Sequence, residues 1–335
     1  MSIDPVLLVG GSGVVGRWTA RHLRDAHPDA PLLIGGRDLA KADRVAATVG
    51  NAEGVAIDLA ADDLGLGRRA VSAVAVLLPD ETRAGLRYAN ARGVPHISIA
   101  SGVEDMGPDV ATYVHNPRTA AIVLGTEWLV GATTIPTLDA ARAFGRLREI
   151  RLGAVFDEED LGGAAHLTDL KGLTDVIAPA LTRRNGAYVW RQGEDARATV
   201  HALDGTPMDA FGLSINDVVA LAAATDAPNV EFNLALGVSS SRRRGQAMST
   251  EIIIELAGDD HEGKPLRTRR AVVHPEGQFP MTGLGVAMVL ERLVGLDGKP
   301  AAEPGLYFPY QLLVPATYFR RLEAIGGKVV DLAVP

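Results

Sequence analysis

The stretch from residue 5 to residue 16 reads PVLLVGGSGVVG. Residues 6–9 are an apolar run of strand formers, and Gly10, Gly11, Ser12 and Gly13 make a glycine-rich turn. From Val14 and Val15 onward the spacing is helical, carried by Trp18, Ala20 and Leu23. Strand, glycine turn and helix in that order are the setting in which a G-x-G-x-x-G match, here Gly11, Gly13 and Gly16, has a physical meaning. Gly11 lets the chain turn sharply, Gly13 lets the backbone approach a pyrophosphate, and Gly16 lets the helix pack on the strand. The helix N-terminus offers unpaired N–H groups and the positive end of a dipole to phosphate. The segment predicts a dinucleotide-binding unit. The plainer alternative is a tight βα turn that binds nothing.

The rest of the first 125 residues keeps the same rhythm. Apolar runs at 32–34, 55–57, 71–78, 96–98 and 120–124 alternate with helical patterns at 39–49 and 81–92. This predicts a doubly wound parallel sheet with helices on both faces. Near Gly125 the rhythm changes. A helix is expected over 131–144, and then strands over 150–156, 188–191, 196–202, 230–236, 251–256 and 269–274. Several of these alternate apolar and polar residues, which suits a mainly antiparallel sheet with one covered face. Helices are expected over 167–181, 215–224 and 281–293. The chain therefore reads as α/β, a Rossmann domain followed by an α+β domain. The run Ser239-Ser240-Ser241-Arg242-Arg243-Arg244-Gly245 reads as a solvated loop.

Composition narrows the function. The net charge of -8, with no basic face in the sequence, argues against nucleic acid and against anionic membrane surfaces as partners. The absence of cysteine excludes disulfides, thiol catalysis and zinc-thiolate sites. Eight scattered histidines show no ligand spacing, so no metal is expected. The first apolar run is too short for a signal peptide and no stretch reaches membrane-spanning length, so the expected address is cytoplasmic.

The chain resembles the saccharopine dehydrogenase-like NADP-binding oxidoreductases. The similar segments are LLVGGSGVVGRWTARHL, IGGRDLAKA, AIDLAADDL, LLPDETRAGLRYANARGVPHISIASG, FPMTGLGVAMVLERLVG and PGLYFPYQLL. They cover most of the first domain and the last fifty or so residues. The middle matches poorly. Where many members have a Pro-Gly turn after the sixth strand, this chain has GTEWLVG at 125–131. The resemblance implies an NADP-binding Rossmann domain at 1–130, a substrate and dimerisation domain at 131–295 and a C-terminal segment at 296–335 that packs back on the first domain. It also implies a homodimer, and hydride transfer to or from a small polar imine or keto-type substrate. The alternatives are enoyl reduction on a lipid-like substrate and a non-catalytic NADP-sensing regulator.

NAD sites usually place Asp or Glu at the end of the second strand, where it binds the ribose 2′-hydroxyl. Here that strand ends Gly35-Gly36-Arg37. The acid is absent, and Arg37 can make charge-assisted bonds to a 2′-phosphate, so NADP is the expected cofactor. Ser12 and Lys41 are candidate helpers. Ligands of open parallel sheets sit beyond the carboxyl ends of the strands. Asp58 and Leu59 should therefore flank the adenine. Leu78, Pro79 and Asp80 should line the path to the nicotinamide ribose, and Ser98 to Ser101 should approach the nicotinamide. The proton donor is expected among His166, Asp169 and Lys171, the densest polar cluster, or at Glu127 beside Trp128. For the first cluster, an exposed helix start is the plainer reading. Tyr307 and Tyr310 come third.

Overall fold

The computed structural model describes residues 4–99, 106–125, 127–160 and 178–334. Strands β1 (Val6–Val9), β2 (Leu32–Gly36), β3 (Ala52–Ala56), β4 (Ala73–Val76), β5 (His96–Ser98) and β6 (Ala121–Leu124) are interleaved with helices α1 (Val14–Ala26), α2 (Leu39–Val49), α3 (Ala84–Arg92) and α4 (Met106–His115), with β4 following β3 directly in the element order. After α5 (Thr134–Ala141) come β7 (Phe144–Asp157), β8 (Ala180–Arg184), β9 (Ala187–Arg191), β10 (Arg197–His201), β11 (Pro207–Gly212), β12 (Asn229–Gly237), β13 (Thr250–Asp260) and β14 (Pro265–His274). The last two strands are β15 (Gly305–Tyr307) and β16 (Lys328–Asp331).

The first sheet has the order β15-β6-β5-β4-β1-β2-β3, and every pair is parallel. All four residues of β1, β4 and β6 are buried, as strands covered on both faces require. The order reverses at β1, which pairs with β2 on one side and β4 on the other. That reversal is the topological switch point where open α/β sheets bind ligands. The second sheet runs β10-β11-β12-β7-β13-β14-β16, with β8 and β9 attached to β12. It is antiparallel except for the β12–β7 pair.

The chain forms two compact units, 1–126 with 282–313, and 127–281 with 314–335. These bounds differ from the expected 1–130, 131–295 and 296–335. The return to the first unit begins within the helix Phe279–Val294, because Gly283 lies against α1. A Cβ on Gly283 would stand 2.5 Å from Trp18 Cβ. β15 then adds to the edge of the first sheet at β6. Of the expected segment 296–335, residues 296–313 thus belong to the first unit, whereas residues 314–335 belong to the second, where β16 pairs with β14.

Local expectations also need correction. The helix expected over 131–144 is shortened to α5, and β7 starts at Phe144. The end of the helix expected over 167–181 is strand, since β8 starts at Ala180; the rest of that span lies largely outside the described residues. The run 239–245 is not a solvated loop. Ser239 and Ser240 are fully buried, and Arg242 is half-buried around a helical turn, Ser240–Arg243. Short hydroxyl side chains and free backbone N–H groups suit this place because two carboxylates need donors there. Asp157 accepts from Ser239 N (2.7 Å) and Arg242 (2.8 Å), and Glu251 accepts from the Ser240 N–H and hydroxyl. Burial pushes the Asp157 carboxyl upward, but these bonds prevail and hold it below its ordinary value.

Candidate functional site

The glycine turn links the end of β1 to α1. Gly10 takes φ +85°, so the left-handed residue that turns the chain is Gly10 rather than Gly11. Both residues donate to Gly35 O at 3.0 Å, which ties the turn to the end of β2. Gly16 meets a second constraint. A Cβ there would lie 2.5 Å from Gly10 O and from Gly11 Cα, so no larger residue lets α1 start this close to the turn. Gly13 is the N-cap of α1, and no side chain caps the helix. The backbone donors of its first turn, at Val14, Val15 and Gly16, are thus left for an anion.

The neighbouring strand ends close on this turn. Ser12 is nearly buried, and a Cβ on Gly36 would stand 2.9 Å from its hydroxyl oxygen. A Cβ on Gly10 would stand 3.2 Å from Leu78 Cδ2. Leu77 N donates to Val9 O at 2.8 Å, and Ile57 N to Gly36 O at 2.9 Å. Gly10, Gly11, Ser12, Gly13, Gly36 and Leu78 therefore converge. Arg37 is exposed and Asp38 does not pair with it; the Asp38 carboxylate caps α2 by accepting from Lys41 N at 3.0 Å. Asp58, just past β3, is exposed, while Leu59 is half-buried. Pro79 is exposed and Asp80 is buried. Asp80 serves the fold, accepting from Ala84 N (3.0 Å) and Gly85 N (2.8 Å) at the start of α3. Ser98 is half-buried, and Ser101 lies outside the described residues.

His166, Asp169 and Lys171 also lie outside the described residues. Glu127 is described and is 2% exposed. Its Oε2 accepts from Thr134 Oγ1 at 2.7 Å. Next to it the chain makes an unusual turn, with Leu129, Val130 and Gly131 all at positive φ. Two successive non-glycine residues in this region, one of them β-branched, need outside support. Asp217, fully buried, supplies it by accepting from Trp128 N at 2.7 Å and from the Thr133 hydroxyl. Burial pushes the Asp217 carboxyl up to about 6, against those two hydrogen bonds. The Trp128 ring packs on Phe232 at 5.3 Å. Tyr318 is fully buried beside Glu127, and burial and that charge both push its hydroxyl upward. Sequence reading missed Asp217 and Tyr318, because their partners lie about ninety and two hundred residues away. Tyr307 donates to Glu303 O (3.1 Å) and Tyr310 stacks on Phe308.

No group of three or more His, Asp or Glu placed to hold a metal occurs among the described residues. No helix among them is long and apolar enough to cross a membrane.

No protein-family model matches the chain, and no curated protein does. Solved structures do. Apo saccharopine dehydrogenase (L-Glu forming) from Saccharomyces cerevisiae is 14% identical, with a TM-score of 0.64 over 98% of this chain and 100% of that one. An amine dehydrogenase from Mycobacterium smegmatis is also 14% identical, with a TM-score of 0.52 over 94% of this chain and 97% of that one. At this identity the likeness is one of fold. It spans both sheets and agrees with the similarity read from the sequence.

Proposed function

We propose that the chain is an NADP(H)-dependent oxidoreductase, moving hydride to or from a small polar imine or keto-type substrate. The observation that carries this reading is the end of β2. There Arg37, free of Asp38, follows Gly36, which touches Ser12 of the glycine turn, and no carboxylate stands where an NAD site would have one. The fold likeness to saccharopine dehydrogenase supports it. The residues fit the cofactor. The uncapped start of α1, at Gly13, Val14, Val15 and Gly16, would hold the pyrophosphate. Arg37 would hold the 2′-phosphate, with Asp58 and Leu59 at the adenine, and Leu78, Pro79 and Ser101 toward the nicotinamide. The bound dinucleotide would supply or accept the hydride. The chain itself must stabilise charge on the substrate heteroatom and supply or take a proton, which we assign to the set Lys171, His166, Asp169 and Glu127.

The test begins with titration of the purified protein with NADP and NAD. NADP is expected to bind more tightly, and Arg37→Ala to weaken it about 10- to 100-fold. Tighter NAD binding, or no effect of the substitution, overturns the cofactor assignment. A panel of imines, keto acids and enoyl esters with NADPH then identifies the substrate class. Turnover by Lys171→Met, His166→Ala and Glu127→Gln tests the proton donor. Near-wild-type kcat in all three moves the chemistry elsewhere.

A homodimer belongs to the same proposal. One face of the second sheet holds a basin of about 490 Å³ lined by both signs of charge, including Arg151, Arg197, Arg267, Glu231 and Glu255. Such a face can complement a second copy of itself. Light scattering during gel filtration is expected to give twice the chain mass, and a monomer overturns this part.

A further inference from the structure

We propose that Arg17 is a second clamp for the cofactor's 2′-phosphate, acting from α1 together with Lys41 of α2. The inference rests on the NADP reading above and deepens it. Helices α1 and α2 border one groove, which carries Arg17, Arg21, Arg24, Lys41 and Arg44 against a single carboxylate, Asp25. Two of these cations are already engaged. Arg21 pairs with Asp25 at 3.8 Å, and Arg24 donates to the carbonyls of His27, Gly50 and Asn51 at 2.9–3.0 Å. Arg17, Lys41 and Arg44 have no side-chain partner among the described residues. In a chain of net charge -8, three free cations in one groove mark a place kept for an anion.

The position of two of them sharpens the assignment. Arg17 and Lys41 stand at the opening turns of their helices; the Asp38 carboxylate already caps α2, whereas α1 has neither a capping side chain nor an acidic residue in its first turn. The positive end of a helix dipole disfavours cations there and favours anions. At α1 that conflict is unmet, and an anion held beside Arg17 removes it. The same end of α1 begins at the glycine turn, where Ser12 meets Gly36, and Arg37 follows directly. Arg17, Lys41 and Arg37 thus come from three elements whose ends lie around one hydroxyl. A phosphate monoester dianion takes several charge-assisted bonds at once, and two guanidinium forks on different walls suit its shape. Arg44 lies about one turn further along α2, away from that end, and serves as the control.

The experiment is isothermal titration of the full chain with 2′,5′-ADP and with 5′-AMP, which differ by the 2′-phosphate. Arg17→Met, Lys41→Met and Arg44→Met are compared with the wild type. All three side chains are exposed, and thermal melts check that each variant is folded. The wild type is expected to prefer 2′,5′-ADP. Arg17→Met should weaken 2′,5′-ADP about tenfold and leave 5′-AMP within about twofold. Lys41→Met should act in the same direction, and Arg44→Met should leave both ligands within about twofold. If the wild type prefers 2′,5′-ADP and Arg17→Met keeps that preference, Arg17 is not a clamp while the NADP reading stands. If Arg44→Met costs as much as Arg17→Met, the effect belongs to the general field of the groove, and the clamp is likewise overturned. If the wild type shows no preference, both the clamp and the NADP reading fall.

Discussion

His96, on β5, is 2% exposed, and neither ring nitrogen has a hydrogen-bond partner among the described residues. Burial lowers its pKa from 6.5 to about 4, with Asp80 opposing and Arg83 adding to the shift. Above pH 6.5 the ring is neutral in both folded and unfolded chains, so stability is fully present there. As the pH falls toward 4, the unfolded chain gains a proton that the folded chain refuses, and about 3 kcal/mol is lost. Replacing His96 by Leu should therefore raise Tm at pH 5 relative to the wild type and change it less at pH 8. A constant difference across that range would refute the assignment. Asp160 works in the opposite sense. Burial, together with the charge of Asp157, pushes it up to about 6, against a bond from Gln278 N. Its folded carboxyl keeps a proton that the unfolded chain loses above 3.8, so its contribution fades as pH rises from 3.8 to 6. Asp160→Asn should gain on the wild type between pH 4 and pH 7, by on the order of 2–3 kcal/mol in unfolding experiments. At this scale the sequence was informative where a residue's role is set by its neighbours in the chain, as for Gly16, which packs against Gly10 and Gly11. It was silent for His96, Asp160 and Asp217, because burial is created by residues far away.

At the scale of elements, the parallel half was legible because most of its strands are short apolar runs, although α4 was not expected and β3 begins with the polar stretch ahead of the predicted run 55–57. The predicted runs overlap β1, β2, β3, β4, β5 and β6. The misses have physical reasons. β15 has three half-buried residues and β16 is mostly exposed, so neither carries an apolar signature; each exists by pairing with an edge. The serine run 239–241 looked solvated because its hydrophilicity says nothing of the carboxylates it serves. One motif read only as a resemblance, FPMTG, gains a reason from packing. Its glycine, Gly283, is the crossing point of its helix with α1. Gly283→Ala should force Trp18 and Thr19 to shift, costing about 1–3 kcal/mol of stability measured by chemical denaturation, despite alanine's better helix propensity. A neutral or stabilising result would mean that the two helices separate without penalty.

At the scale of the whole molecule, the dinucleotide reading predicts where ligand protection falls. With NADP present, hydrogen exchange should slow at residues 10–16 and 37–41 of the first unit. Unchanged exchange at both segments would count against the site. The division into units has another consequence. The chain leaves the first unit after residue 126, returns to it at 282 and leaves it again after 313. β15 at one edge of the first sheet and β16 at one edge of the second both come after residue 304. During synthesis, which proceeds from the N-terminus, the edges of β6 and β14 that β15 and β16 cover therefore stay unpaired until residues 305 and 328 have been made. A nascent chain short of Gly305 exposes, beside the edges at β3 and β10, two further strand edges that the folded chain covers. The segment from Gly305 onward, distant in sequence from the glycine turn, thus guards two edges that could otherwise template pairing with another chain.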